Sequence, residues 1–379
     1  MNNGRQEQAK VYNRLKRRLG LIEIALDLGF LIVVLLTGFS QDLRTFLSLA
    51  GAELAGPYSE LVVIAGYVIV LGGLIELISF PLNYYSGYRL EHRFQLSNQT
   101  FGSWLLDHLK GVGVGLLLGL PLVELLYFFL RHFPENWWLI AGVVFTLIVV
   151  VLARLAPVLL MPIFYKFKPL EDEDLRHRLA VLAEKAGTRV EGIYELNLSE
   201  KTKTANAALM GLGRTRRILL SDTLLKEYEK DEVEVVLAHE LAHQVYGHIW
   251  KGMAVQTVLT FVGFYLADVI LRWGIARFNF RGTADIAAFP LFILVLLFLS
   301  LLTMPLVNTF SRRLEYQADE YALQATQKPA YFISAMRKLA AQNLAEAEPP
   351  PLIEFIFYSH PSIARRIHQA QQKFPVPGS

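Results

Sequence analysis

Residues 235–248 read VVLAHELAHQVYGH, and three residues later, at 252–274, the chain continues GMAVQTVLTFVGFYLADVILRWG. The first stretch holds His239, Glu240 and His243 in a His-Glu-x-x-His spacing. On a helix, residues four apart share one face, so both imidazoles can reach one metal ion with Glu240 beside it. The second stretch is apolar and long enough to cross a bilayer. A metal-binding helix set among membrane spans implies a mainly helical, multi-span membrane protein with metal-dependent chemistry.

Working outward, five more stretches reach spanning length, at roughly 21–38, 60–80, 104–130, 136–160 and 286–308. The first carries Glu23 and Asp27 near its start. The fourth runs into APVLLMPIF, where Pro157 and Pro162 are expected to bend or end it. The hydrophobic fraction of 53% and mean hydropathy of +0.35 lie above those of a soluble globular chain. The expected organisation is a four-span membrane region at 1–164 and a soluble portion with the His-Glu-x-x-His helix at 165–250. Two further spans at 251–310 and a helical C-terminal region at 311–379 complete it.

The basic leader MNNGRQEQAKVYNRLKRRLG precedes the first apolar run, but no small-residue cleavage site follows it, so that span is read as retained. A net charge of +3 points to no nucleic-acid partner. Cysteine is absent, which excludes thiol catalysis, thiolate-bound zinc and disulfides and leaves His and carboxylates as metal ligands. Arg14, Lys16, Arg17 and Arg18 precede span one, Arg89 and Arg93 follow span two, Lys166 and Lys168 follow span four, and Arg312 and Arg313 follow span six. The opposite loops hold Arg44 and Arg131, and only Arg272, Arg277 and Arg281 after span five run against the trend. The positive-inside rule then puts both termini, the 165–235 region and the His-Glu-x-x-His helix on the cytoplasmic side.

A catalytic zinc site needs a third protein ligand and an open position for water. Glu315, in SRRLEYQADEYAL (311–323), is the candidate, brought back to the His pair by a helix returning after the last span. Asp319, one turn on, is placed to accept an N–H from a ligand His. With Arg312, Arg313 and Glu320, the same stretch reads equally well as an exposed charged helix. His248 follows His243 by five residues, about 140° around a continuous helix, so it is expected in a supporting role away from the metal face. Glu76 and Glu124 fall inside apolar spans, where carboxylates face protein or water rather than lipid.

Six ordered blocks resemble the type I CAAX prenyl proteases, integral-membrane zinc metalloendopeptidases with bacterial relatives. They are EHRFQLSNQTFGSWLLDHLKG (91–111), PIFYKFKPLEDEDL (162–175), TANAALMGLGRTRRILLSDTLL (204–225), HELAH with His248, SRRLEYQAD, and SHPSIARRI (359–367). The resemblance implies spans surrounding a chamber, closed by a zincin-like domain of a small β-sheet plus helices. It implies one Zn2+ per chain on His239, His243 and Glu315, with Glu240 as catalytic base and Asp319 behind the ligands. Asn206 and Ala207 would lie on the edge strand that pairs with an extended substrate. His360 and Arg366 would approach the site as candidates for steadying the oxyanion. The implied partners are the lipid bilayer and a peptide or protein substrate, prenylated or membrane-associated.

Departures narrow the resemblance. The family strand reads Asn-Ala-Tyr-Phe, whereas this chain has Asn206, Ala207, Ala208 and Leu209. LNLSEKTKT lacks the usual Arg-Ser-x-His pattern, and Ser362 replaces the second proline after His360. The lost aromatic alters the substrate groove but not the zinc chemistry. Eukaryotic members carry seven spans, so six spans favour a bacterial member in the inner membrane. Two rivals stay open: an intramembrane metalloprotease of the site-2 type, whose Leu-Asp-Gly element is missing here, and a transporter or scaffold with structural zinc, which would not require Glu240.

Overall fold

The structure is a computed structural model that describes residues 3–211 and 213–375. Helix α1 (Asn3–Leu36) starts well ahead of the apolar run, because the basic leader is built mostly of good helix formers. It breaks at Gly38, whose φ of 80° is left-handed, and α2 (Phe39–Ala55) follows. The break does not reverse the chain. Along α3 (Ser59–Tyr84) and its continuation, Lys16 meets Glu91, Asp27 meets Ser79, Ser40 meets Tyr67 at 2.6 Å, and Gly51 abuts Val63. The partner numbers fall steadily, so α1 and α2 together make one crossing antiparallel to α3.

From α3 the chain passes through a π-helical turn at Tyr85–Arg89 into α4 (Leu90–Arg93). Thr100 caps α5 (Phe101–His132) by accepting from the Ser103 N–H. Helix α6 (Trp137–Leu159) runs through position 157 and ends two residues later, so Pro157 does not end it, and Pro162 sits in the first turn of α7 (Met161–Phe164). Among the described residues, six helical stretches are long and apolar enough to cross a membrane, as the sequence led us to expect. Each of the first three extends beyond the expected span.

Next come β1 (Phe167–Pro169), α8 (Glu173–Lys185), β2 (Gly192–Leu196), β3 (Ala207–Met210), β4 (Arg217–Ser221) and α9 (Asp222–Glu227). The sheet has the order β1-β2-β4-β3, with β2 and β4 parallel and the outer strands antiparallel, leaving β3 as an edge. Helix α10 (Lys230–Val245) packs beneath it. Leu179, Ile218, Leu220, Leu224 and Leu241 are fully buried in their common core, each contributing about 1.5–3 kcal/mol on leaving water.

Helices α11 (His248–Phe278) and α12 (Phe289–Thr326) return the chain to the membrane region, and α13 (Pro329–Gln342), α14 (Pro351–Phe357) and α15 (Ile363–Lys373) finish the fold. One expectation is corrected here. Glu315 is not carried by a separate returning helix. Helix α12 is a single rod of 38 residues, about 57 Å long, that leaves the membrane region and runs on beside α10. Close approach is permitted by Ala238 and Ala242 on α10 and Ala318 and Ala322 on α12, all fully buried.

Of the arginines that ran against the charge trend, Arg272 has a carboxylate partner. Arg272 Nε lies 2.8 Å from Asp268 Oδ2, and Asp268 also accepts from Trp137 Nε1. Arg44 pairs with Asp285 at 2.5 Å. Within the spans, Glu76 meets His108 Nε2 at 2.6 Å, whereas both Glu124 oxygens are buried without a hydrogen-bond partner. A mainly apolar cavity of about 520 Å³ opens between α5, α6, α11 and α12, lined by Phe145, Phe264 and Leu296 with Gln256, Thr303 and Asn308.

The N-terminal leader docks on the last third of the chain. Arg5 Nε donates to the Ala341 carbonyl, Asn13 Nδ2 to that of Leu344, and Arg17 Nη1 reaches Glu346 and the Tyr358 hydroxyl, both at 3.0 Å. The N-terminus and the C-terminal helices therefore lie on the same side of the spans.

Candidate metal centre

Glu229 and Glu232 form a capping box at the start of α10, and the acidic first turn suits the positive end of the helix dipole. Val233, Val236, Leu237 and Leu241 bind α10 to the sheet core, while Val235 and Ala238 face the cluster built on α13 and α15. This leaves His239, Glu240 and His243 for the side shared with α12.

His239 Nε2 lies 3.2 Å from Glu315 Oε2, His243 Nε2 lies 3.5 Å from Glu315 Oε1, and the two Nε2 atoms are 3.4 Å apart. Zinc bonds of 2.0–2.2 Å at tetrahedral angles put ligand atoms about 3.3 Å from one another. Glu315 is buried, and its Oε2 has no partner with hydrogen-bond geometry, a costly arrangement unless a cation satisfies it. Two imidazole nitrogens and one carboxylate oxygen are a donor set suited to zinc. The residues fit the ion.

Each His has a partner on its far nitrogen. His239 Nδ1 is 2.9 Å from Asp319 Oδ1, and an ionised carboxylate only accepts, so Nδ1 carries a proton and Nε2 is the nitrogen that faces the metal position. Arg366 grips the same carboxylate, Nη2 to Oδ1 at 2.5 Å and Nε to Oδ2 at 2.8 Å. His243 Nδ1 is 3.1 Å from His248 Nδ1, and His248 Nε2 is 3.1 Å from Gln317 Oε1. With the Gln317 oxygen accepting, His248 donates from Nε2 and accepts at Nδ1, which again frees His243 Nε2. The continuous helix assumed in placing His248 does not form, because α10 ends at Val245. Gly247, at a φ of 63°, starts a new helix and turns His248 back against His243.

The electrostatics differ between the two rings. Burial alone would push the His239 pKa down, but the Asp319 and Glu315 carboxylates beside its two ring nitrogens outweigh it and lift it to about 9. Burial, helped by the positive His239, pushes His243 down to about 4. Burial raises Glu240 above the usual carboxylate range, against the opposing pull of His239 and of a backbone hydrogen bond from Leu209.

Asn206 and Ala207, with His239, Glu240, His360 and Arg366, line a cleft of about 380 Å³ beside the edge of β3. The Asn206 backbone is fastened to Ser221, its N–H donating to Oγ and its carbonyl accepting from the Ser221 N–H, both at 2.9 Å. His360 is at the mouth, its side chain 63% exposed and Nε2 3.5 Å from Glu315 Oε1. The candidate site residues His239, Glu240, Asn206, Ala207, His360 and Arg366 line this cleft, and His243, Glu315, Asp319 and His248 stand beside or behind it. Gln317 and Asn343 went unnoticed. Gln317 shares the motif stretch with Glu315 and could have been found by asking what lies next to the ligand on its helix. Asn343 had no local signal.

Residues 169–373 match Peptidase family M48, and residues 1–166 match the family described as CAAX prenyl protease N-terminal, five membrane helices. The long helices of that region are α1, α2, α3, α5 and α6. The chain is 30% identical over 373 residues to the metalloprotease YhfN of Bacillus subtilis, covering 97% of this chain and 86% of that protein. It is 33% identical over 319 residues to CAAX prenyl protease 1 of Saccharomyces cerevisiae, covering 79% and 70%. The crystal structure of S. mikatae Ste24p aligns with a TM-score of 0.86 at 25% identity, over 98% of this chain and 90% of that one.

Proposed function

The chain belongs to peptidase family M48 and is a multi-pass membrane metalloendopeptidase, and from that premise we propose that its metal is one zinc ion on His239, His243 and Glu315, with Glu240 as general base. The observation that carries this reading is the trio of donor atoms at tetrahedral zinc spacing, with Glu240 beside them on the cleft. Zinc held there supplies Lewis acidity, favouring deprotonation of an attacking water and polarising the scissile carbonyl. Glu240 takes the proton from that water and hands it to the leaving amine. Ala207 steadies the substrate backbone along the edge of β3, and the Asn206 side chain orients it from the same strand. His360, exposed at the mouth, is the donor for the oxyanion. We revise the expectation for Arg366. Two of its nitrogens are committed to Asp319, so it is a positioning residue for His239 rather than an oxyanion donor.

Substrates on this reading are peptides presented at the membrane, either CAAX-type termini or segments of membrane proteins. The apolar cavity between the spans supports such a substrate. The basic loops support a bacterial inner-membrane protein with the cleft toward the cytoplasm. The test is Glu240→Gln, which should keep zinc and lower peptide cleavage by about 10²–10⁴-fold. Cleavage at the wild-type rate would overturn the mechanism.

A further inference from the structure

His360 stands in the open at the cleft mouth. Its ring has one hydrogen-bonded partner among the described residues, the hydroxyl of the adjoining Ser359, 3.0 Å from Nδ1. Packing therefore does little to place the ring, and its position follows the backbone on either side. Downstream the hold is local: the Ser362 N–H donates to the buried Glu354 carboxylate at 3.2 Å, and α15 begins at Ile363. Upstream the hold is on Tyr358, and it comes from the first span and the last.

Two arginines grip Tyr358 at opposite ends. On α12, Arg312 Nη1 donates to the Tyr358 carbonyl at 2.6 Å and to that of Glu354 at 2.9 Å. On α1, Arg17 Nη1 donates to the Tyr358 hydroxyl at 3.0 Å and to Glu346 Oε2 at the same distance. The hydroxyl also reaches that Glu346 oxygen directly, at 3.4 Å. Glu346 is buried, and the stretch that carries it is pinned. Asn343 exchanges two hydrogen bonds with the Ala205 backbone, at 2.9 and 3.1 Å, and the Leu344 carbonyl accepts from Asn13 Nδ2 at 2.7 Å. Arg17 thus joins a fixed carboxylate to the residue from which the His360 segment departs. Glu346 and Tyr358 line the same cleft as His360.

We propose that Arg17 is a positioning residue for His360: from the first span it holds the Tyr358 hydroxyl, and Tyr358 sets where the His360 ring stands beside the metal ligands. The proposal rests on the reading of His360 as the oxyanion donor. That ring now stands with Nε2 3.5 Å from Glu315 Oε1. A donor must lie within about 3 Å of the developing oxyanion, so a displacement of about 1 Å forfeits much of its effect. Arg17 acts from behind the cleft. Its loss should therefore slow turnover while substrate binding and zinc binding stay as they are.

The test uses the full chain, loaded with zinc in phospholipid vesicles. A mixed pool of peptides, some with CAAX-type termini, is digested and read by mass spectrometry, and the peptide cut fastest is used to measure kcat and KM. His360→Ala sets the scale and should lower kcat by about 10²–10³-fold. Arg17→Ala should lower kcat by about tenfold, with KM within about twofold of wild type and zinc content unchanged. Tyr358→Phe keeps the Arg17–Glu346 pair, so it leaves no buried charge unpaired, and it should show the same loss even if Arg17→Ala folds poorly. In a His360→Ala background neither change should cost anything further. Losses of equal size in both backgrounds overturn the proposal, and so does Tyr358→Phe turning over at the wild-type rate. If His360→Ala cleaves like wild type the oxyanion reading falls, and if nothing in the pool is cut the peptidase reading falls; either takes this proposal with it.

Discussion

Arg366 holds Asp319 by two parallel hydrogen bonds, and Asp319 in turn holds His239 at 2.9 Å. All three side chains are buried, so the guanidinium balances a carboxylate that would otherwise be an unpaired charge beside the metal ligand.

Arg366→Ala should therefore do two things. It leaves Asp319 buried and uncompensated, costing about 3–5 kcal/mol of stability, and it loosens the ring that presents Nε2, weakening zinc binding by about 10–100-fold. Chelator competition and thermal unfolding check the two effects separately. Zinc affinity unchanged from wild type would show that Asp319 needs no clamp.

The other ligand has a gentler support. His248→Ala removes the acceptor behind His243 Nδ1, and Gln317→Leu removes the group that orients His248. Each should weaken zinc binding by about tenfold, with cleavage restored when zinc is added in excess. Because the two act in series, the double variant should be little worse than either single one. Additive losses would refute the relay.

Acid should loosen α10 at its other end. Arg178 and Lys328 join Asp231 and Glu234, with Lys328 2.6 Å from Asp231 and Arg178 2.8 Å from Glu234. The hydrogen bond from Lys328 leads in lowering the Asp231 pKa. For Glu234 burial opposes, but both cations outweigh it and the pKa is again lowered. A depressed folded pKa stabilises above the unfolded value, about 4 for these groups, and that stability is lost as pH falls through the folded value. The melting temperature should hold from pH 7 to about 5 and drop below about 4. Asp231→Asn with Glu234→Gln should lower the neutral plateau and flatten the acid limb; a plateau unchanged in that variant would show the network contributes nothing.

What the sequence revealed was what repeats locally. The His239–His243 spacing and the apolar runs follow from helix geometry and bilayer thickness, so both were legible. Glu315 was found through its motif, but its route was misjudged, because nothing in 309–326 marks whether a helix turns back or runs straight on. The geometry assumed for His248 had a visible flaw. Gly247 directly follows the last turn of α10, the usual signal of a helix end, and an unbroken helix was assumed across it. Asn343 could not be read at all. Its partner Ala205 is 138 residues away, and an asparagine at a helix end is ordinary until the strand edge beside it is known.

The leader helix and the C-terminal segment meet across almost the whole length of the chain: Asn13 with Leu344, Arg17 with Glu346 and Tyr358. During translation the leader is made before its partners. Glu240 exists while Arg366, His360 and Asn343 are still inside or ahead of the ribosome. The cell thus never carries a half-made protein with a finished cleft, and a chain cut short before about residue 340 has a zinc-binding helix without the segment that completes it.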